Sequence, residues 1–489
     1  MSSRLVPYAF AREFGLFDAE SGADGLLVYF REGGDVGALT ELQRHSAAPL
    51  RLQVLSAEAY QEHLARAFNS ADTGLDNMAD DLASMEDLSS LLEDLPELED
   101  LMESADDAPV IRLINSLLAQ ALRRNASDLH FEMFETRATV RFRIDGQLCD
   151  VLEPRRGLHA AMVSRIKIMA ALDIAEKRLP QDGRIALRIA GKPVDVRVST
   201  LPTGHGERVV LRLLDKSAGR LDLSRLGMRP ETLARMQHLL EQPHGILLVT
   251  GPTGSGKTTT LYAALSGMDC STTNIMTVED PIEYDLDGIG QTQINTRIDM
   301  SFARALRAIL RQDPDVIMIG EIRDKETAQI AVQASLTGHL VLATLHTNDA
   351  PSAMTRLVDM GIEPFLLASS SLGVLAQRLA RRLCPTCRSP YEADAAEMKL
   401  LGRTGKTVLY RADGCAECGH TGYQGRTGLY ELLIIDDDIR VLIHQDGNEQ
   451  QIRERAIATG MQLLRDDGIA RVLDGETTLE EILRVTREA

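Results

Sequence analysis

The chain has no tryptophan, and phenylalanine and tyrosine make up only 4% of its 489 residues. Surfaces that stack nucleic-acid bases draw on aromatic side chains and a basic face, whereas the net charge here is -19 and the pI is near 5.1. These scarcities disfavour a nucleic-acid motor, although a basic channel can lie inside an acidic whole. No run approaches the ~18 apolar residues of a membrane span. The first 17 residues also lack the basic start and apolar core of a leader peptide. The expectation is a soluble, cytoplasmic chain that meets a membrane only through partners.

What is present is a globular composition, 44% hydrophobic, in a chain too long for one core. Residues 1–70 combine short apolar stretches (Gly25 to Phe30, Pro49 to Leu55) with a helical run from Ala57 to Phe68, a small α/β module without a catalytic pattern. Residues 71–107 read as an acidic flexible linker: Asp76 to Asp107 holds thirteen acidic residues and no Lys or Arg. Its leucines at roughly helical spacing leave a partner-docking helix as the alternative. Residues 108–215 return to α/β character, with a helix at Val110–Ala121 and strands at 138–144, 184–189, 194–199 and 209–214. Asp145-Gly146 and Asp182-Gly183 read as the turns between them. Residues 216–227 look like a joining segment, and 228–489 form a nucleotide domain.

The strongest motif lies in that last part. Gly251-Pro252-Thr253-Gly254-Ser255-Gly256-Lys257-Thr258 is a complete G-x-x-x-x-G-K-[ST] loop, followed by Thr259, between the apolar strand Gly245–Thr250 and a helix over 257–268. Glycine-rich turns in that setting let backbone N–H groups close around phosphates at the positive end of a helix. The spacing assigns Lys257 to the β and γ phosphates of a nucleoside triphosphate and Thr258 to Mg²⁺. Downstream, the strands 274–278 and 316–319 end in Glu279 and Gly320-Glu321, and a fourth strand over 339–347 carries His339 and His346 at its two ends. Gly320 stands where many such ATPases place a metal-binding Asp, so Glu321 is read as the group that positions or activates water. Glu279 and His346 are further candidates, His346 as a γ-phosphate sensor, against the plainer reading of surface acids and a structural histidine.

Cys384-x-x-Cys387 and Cys415-x-x-Cys418 form two hooks with 27 residues between them, suited to tetrahedral Zn²⁺. Disulfides are the alternative, which a reducing cytosol disfavours. Cys149 and Cys270 stand alone and are read as buried small hydrophobes.

Together the loop Gly251 to Thr259, the acidic box Thr277 to Tyr284, the run Arg307 to Asp324 and the histidine box Thr337 to Asn348 resemble the secretion ATPase superfamily, and within it most closely the GspE family of type II secretion ATPases. Pro180 to Arg184, Val196 to Thr200 and Gly204 to Arg212 extend the resemblance upstream, so that it covers residues from Pro109 to the C-terminus. The first hundred residues match by position and size alone. The resemblance implies an α/β multidomain chain with a middle PAS-like domain and a RecA-like P-loop ATPase domain carrying a four-cysteine zinc insertion at about 384–428. It implies a homohexamer that hydrolyses ATP with Mg²⁺ to drive pseudopilus assembly and protein export. Arg197, Arg212, Arg307 and Arg311 then complete an active site between the middle and ATPase domains. It also implies docking of residues 1–70 on a GspL-like inner-membrane protein, with a GspF-like platform protein as a second candidate. The chain would then be cytoplasmic and peripheral to the inner membrane, with no nucleic-acid partner. The rivals are a type IV pilus assembly ATPase, a nucleic-acid-stimulated motor, and a scaffold that binds ATP without turnover; the last is disfavoured by Lys257 together with Glu321.

Overall fold

The computed structural model describes residues 6, 10–11, 14–22, 25–46, 48–70, 108–189, 192–215 and 222–487, in two compact units, 1–215 and 216–489. The acidic stretch 71–107 and residues 216–221 of the expected joining segment lie outside the described residues.

The first unit holds two sheets. Strands β1 (Leu16–Gly22), β2 (Gly25–Arg31) and β3 (Leu50–Leu55) run in that order, β1 antiparallel and β3 parallel to β2, with helices α1 (Val36–His45) and α2 (Ala57–Ser70). Asp35 starts α1 by accepting from Gly37 N at 2.6 Å. Tyr60 of α2 is 1% exposed and donates its hydroxyl to Ala11 O at 2.7 Å, closing a core with Phe17, Val28 and Leu42.

After α3 (Ala108–Arg123) come β4 (Ala126–Met133), β5 (Ala138–Ile144), β6 (Gln147–Leu152), α4 (Arg156–Met169), β7 (Gln181–Ile189), β8 (Lys192–Thr203) and β9 (Gly206–Asp215). The strands form one antiparallel sheet in the order β6-β5-β4-β9-β8-β7. Period-two alternation sends Leu129, Phe131, Val140, Phe142, Val196, Val198, Val209 and Leu211 into the core shared with α3 and α4. Asp182-Gly183 is no turn: it lies inside β7, and a Cβ at Gly183 would stand 2.7 Å from Ala170 O. This glycine serves the close approach of strand and helix end, which sequence alone cannot tell from a turn signal.

In the second unit residues 222–227 are a packed element, not a joining segment. Leu223–Leu226 is a 3-10 helix, Leu223 is buried, and Leu226 O accepts from the Tyr430 hydroxyl at 3.0 Å. Then follow α5 (Pro230–Leu240), β10 (Gly245–Thr250), α6 (Lys257–Ser266), β11 (Ile275–Glu279), β12 (Gly290–Gln293), α7 (Phe302–Ile309), β13 (Val316–Ile319), α8 (Lys325–Leu336), β14 (Leu340–Leu345), α9 (Pro351–Asp359), α10 (Pro364–Ser370) and β15 (Ser371–Leu383). β16 (Arg388–Glu392), α11 (Ala395–Leu400) and β17 (Val408–Ala412) come next. The chain returns along β18 (Tyr423–Ile434) and ends in α12 (Asp437–His444), α13 (Glu449–Ala458), α14 (Leu464–Leu473) and α15 (Leu479–Val485).

The main sheet runs β12-β11-β13-β14-β10-β15-β18, parallel except for β18. Every residue of β10, β13 and β14 is buried, as continuous apolar runs in a sheet covered on both faces require. Ile246 and Leu248 join the core on one face, Leu247 and Val249 the core on the other. Cys149 and Cys270, read from sequence as buried, are only partly so.

Candidate nucleotide site and cysteine cluster

Register brings the nucleotide motifs together. Thr250, the last residue of β10, pairs with Leu345 at the end of β14, and Ile319, the last of β13, pairs with Ala343. The phosphate loop, Gly320-Glu321 and His346 therefore leave the sheet at one edge, the C-terminal edge where ligands bind in open α/β sheets. The Thr250 and Thr347 hydroxyls lie 2.7 Å apart, and Thr347 N donates to Thr250 Oγ1 at 2.9 Å, which fixes the histidine loop beside the phosphate loop.

The loop itself needs its glycines. Gly251 and Gly256 sit at φ 146° and 90°, where a side chain is strained. A Cβ at Gly251 would come 2.4 Å from Gln377 O, and one at Gly256 would come 2.9 Å from Gln377 Nε2. Gln377 of β15 thus backs the loop, and its Oε1 accepts from Thr260 in α6 at 2.7 Å. No side chain caps α6, which leaves its first-turn N–H groups for a phosphate. Lys257 is 8% exposed and donates from Nζ to Gly251 O at 2.8 Å and Pro252 O at 3.1 Å. Burial, aided by the Arg378 cation and opposed by Glu321, holds its pKa down at about 8. Thr258 is exposed at the start of α6.

Glu321 stands among cations, its side chain 14% exposed. It pairs with Arg323, and His346 Nε2 lies 3.6 Å from Glu321 Oε2. Ile322 N donates to Thr344 O at 2.9 Å and the Thr344 hydroxyl to Gly320 O at 2.5 Å, pinning the backbone around the acid. Burial lowers the His346 pKa, with the Lys257 cation adding to that and Glu321 opposing it, so the ring is neutral near pH 7. Glu279 is placed differently. It is 2% exposed, and its carboxylate accepts from Tyr262, from Thr277 at 2.5 Å and from Gln291 at 3.1 Å. Its lone pairs are engaged inside the chain, and burial together with its charge pushes the Tyr262 phenol up.

His339 sits at the opposite end of β14, bonded to Ala334 O at 2.8 Å behind α8. Arg307 pairs with Glu326 at 2.5 Å, and Arg311 donates to Arg307 O at 2.8 Å, so neither is held by an acid of the loop edge. In the first unit Arg212 directly faces Arg197 across β9 and β8, and Arg212 Nε bonds Asp128 Oδ1 at 2.9 Å. Sequence reading missed Arg323, Gln377 and Arg378. Arg323 stood inside the run already singled out; Arg378, which donates to Asn348 Oδ1 at 3.1 Å, and Gln377 carry no local motif.

The four cysteines meet. Their sulfurs all lie within 4.8 Å of one another, with Cys384–Cys415 at 3.9 Å, Cys387–Cys418 at 3.8 Å and Cys415–Cys418 at 3.8 Å. A tetrahedral ion with metal–sulfur bonds of about 2.3 Å sets sulfur separations of about 3.8 Å, so the cage fits Zn²⁺. A disulfide requires about 2.05 Å. Burial alone would raise the Cys418 thiol pKa, but N–H donors from Cys415 and Gly422, each at 3.2 Å, pull it below the usual range and favour the thiolate a metal needs. The hooks close the far end of the β15–β18 pair, around the two-stranded β16–β17 sheet.

A glycine-cradled lysine beside an acid-capped parallel strand defines a P-loop ATPase, and the comparisons with known proteins narrow the class. A family model described as "Type II/IV secretion system protein" matches residues 103–484, and a domain model of "GSPII protein E" matches residues 5–68. The chain is 62% identical over 498 residues to the type II secretion system protein HxcR of Pseudomonas aeruginosa, covering 99% of this chain and 100% of that one. It is 54% identical over 492 residues to the type II secretion system ATPase E of Vibrio cholerae, covering 100% and 98%. Among solved structures, the pilus retraction motor PilT with bound ADP aligns with a TM-score of 0.51 at 27% identity, over 77% of this chain and 97% of that one. The chain belongs to the GspE family of type II secretion ATPases. It is a secretion ATPase, with ATP and Mg²⁺ as the family's nucleotide and metal, and the match includes residues 5–68 of the N-terminal module.

Proposed function

We propose that the chain works as a homohexamer in the cytoplasm, peripheral to the inner membrane, and turns ATP hydrolysis into pseudopilus assembly and protein export. The observation that carries this reading is the convergence of Lys257, Glu321 and His346 at one sheet edge. Loop amides of 251–259 and Lys257 hold the β and γ phosphates, and Thr258 offers its hydroxyl to Mg²⁺, which supplies charge neutralisation when bound. Glu321 accepts a proton from the attacking water, with Arg323 fixing its carboxylate and neutral His346 reading the γ-phosphate. Glu279, bonded on both oxygens, positions Tyr262 and the β11 end without touching the reacting atoms.

Arg197, Arg212, Arg307 and Arg311 supply the positive charge that a transferring phosphoryl group requires, each from a subunit of the assembled ring. Cys384, Cys387, Cys415 and Cys418 hold one structural Zn²⁺. Residues 1–70, where the GSPII protein E domain model matches, dock on the cytoplasmic part of a GspL-like membrane protein, and that match favours export over pilus assembly. A GspF-like platform protein is a second partner.

The test is specific ATPase activity against protein concentration, with Arg197→Ala and Arg212→Ala alongside. The reading expects activity to rise with concentration and to fall about 10³-fold or more in either variant. A rate independent of concentration, equal in all three proteins, contradicts it.

A further inference from the structure

A second concave site lies within the ATPase unit. A cavity of about 370 Å³ opens between the Leu223–Leu226 turn, the β15 and β18 arms and α14, and five arginines line it: Arg225, Arg229, Arg382, Arg426 and Arg471. None belongs to the phosphate loop or to the acids at its edge. The volume falls in the range of small-ligand sites.

Arginines outnumber acids in the lining. Asp474 and Glu476 are acids of the lining. Both are taken, Asp474 by Arg229 Nη2 at 3.1 Å and Glu476 by Arg471 Nη1 at 3.0 Å. Asp467, buried behind them, accepts from Arg229 Nε at 3.0 Å and lies 3.5 Å from Arg471 Nε. Arg471 is 4% exposed and also donates to Thr427 Oγ1 at 3.1 Å and to Gly227 O. Two arginines are thus locked into the wall. Arg225 and Arg382 are exposed at the mouth and make no ion pair among the described residues. Guanidinium groups crowded in a concavity repel one another, and an anion relieves that repulsion.

We propose that this cavity binds a phosphate-bearing anion of about diphosphate size. Planar guanidinium forks match phosphate oxygens two at a time, and arginines converging from separate elements can share the oxygens of two phosphates. The walls give such an anion leverage. Gly227 to Pro230 follow the Leu223–Leu226 turn near the start of the second unit, and Arg382 lies on the same strand as Gln377, which backs the phosphate loop. An anion held here ties the root of the ATPase unit to the strand that supports its nucleotide site.

The experiment is calorimetric titration of inorganic pyrophosphate into the full chain with its phosphate loop saturated by Mg²⁺ and a non-hydrolysable ATP analogue. The same titration is made on the full chain carrying Arg225→Glu and Arg382→Glu, two exposed positions whose replacement leaves the wall pairs intact. Co-sedimentation of both proteins with phosphatidylglycerol vesicles separates a free solute from a lipid headgroup. The proposal expects one site per chain beyond the nucleotide, weakened about tenfold or more in the double variant, while affinity for the ATP analogue stays the same. Loss in the pyrophosphate arm assigns a free phosphate compound, and loss confined to the vesicle arm assigns a headgroup. No difference between the two proteins in either arm overturns the site. Failure of analogue binding in both proteins would instead count against the nucleotide reading.

Discussion

Strand β15 serves two sites built on opposite principles. Toward its middle, Gln377 and Arg378 support the phosphate loop and the histidine loop; just past its end, Cys384 opens the cysteine cluster. At the first site the binding groups are main-chain amides and one lysine, and their value depends on glycines at positive φ and on a neighbouring strand that leaves no room for a Cβ. At the second, four side chains of one type form a cage suited to a tetrahedral ion, and the fold has only to bring their sulfurs to about 3.8 Å. The nucleotide edge depends on conformation, the cysteine end on ligand identity, and each should fail without disturbing the other.

The largest separation is expected from Lys257→Ala. Removing the buried cation should lower kcat/KM for ATP hydrolysis by about 10²- to 10³-fold, with zinc content by metal analysis unchanged. A parallel loss of zinc would show that the two ends are one cooperative site. Cys384→Ser is the reverse cut. Metal should fall from about one ion per chain to near none, and the β16–β17 element should become the first part to unfold, while affinity for an ATP analogue stays within about twofold. Full metal content in this variant would break the four-ligand assignment.

A smaller effect sharpens the electrostatic half of the comparison. The Lys257 pKa sits at about 8 because burial disfavours the ammonium, and bound phosphate, favouring the ammonium, raises it. Analogue affinity is therefore full below pH 8, where the free lysine already carries its proton. It should decline above pH 8, at most about tenfold per pH unit. Lys257→Arg, whose charge does not titrate in this range, should give a flat profile. A decline of equal slope in both proteins would assign the titration elsewhere.

Chemistry written in contiguous motifs was legible in the sequence, down to the bounds of β10 and β13 and the four cysteines that meet in one cluster. Chemistry assembled by the fold was not. Helix α4 escaped notice because it buries His159, Arg165 and Lys167 among its apolar residues, which blurs the helical pattern; Lys167 pairs with Glu207 of a later strand. Residues 222–227 looked like polar linker, yet Leu223 packs into the ATPase core. Glu279 stood where an acid faces nucleotide, but only the fold shows Tyr262, Thr277 and Gln291 closing around it. The arginine cavity draws on positions from 225 to 471, and no local spacing announces it.

The central claim is that Glu321 activates water at a nucleotide site held by the loop. Glu321→Gln keeps the size and hydrogen-bonding reach of the side chain and removes the base. Single-turnover hydrolysis in the purified full-length variant, measured beside equilibrium binding of ATP, tests the claim most directly. The prediction is affinity within about threefold of wild type and a hydrolysis rate lower by about 10²- to 10⁴-fold. Wild-type turnover in Glu321→Gln would contradict it and move the water-activating role to another residue of that edge.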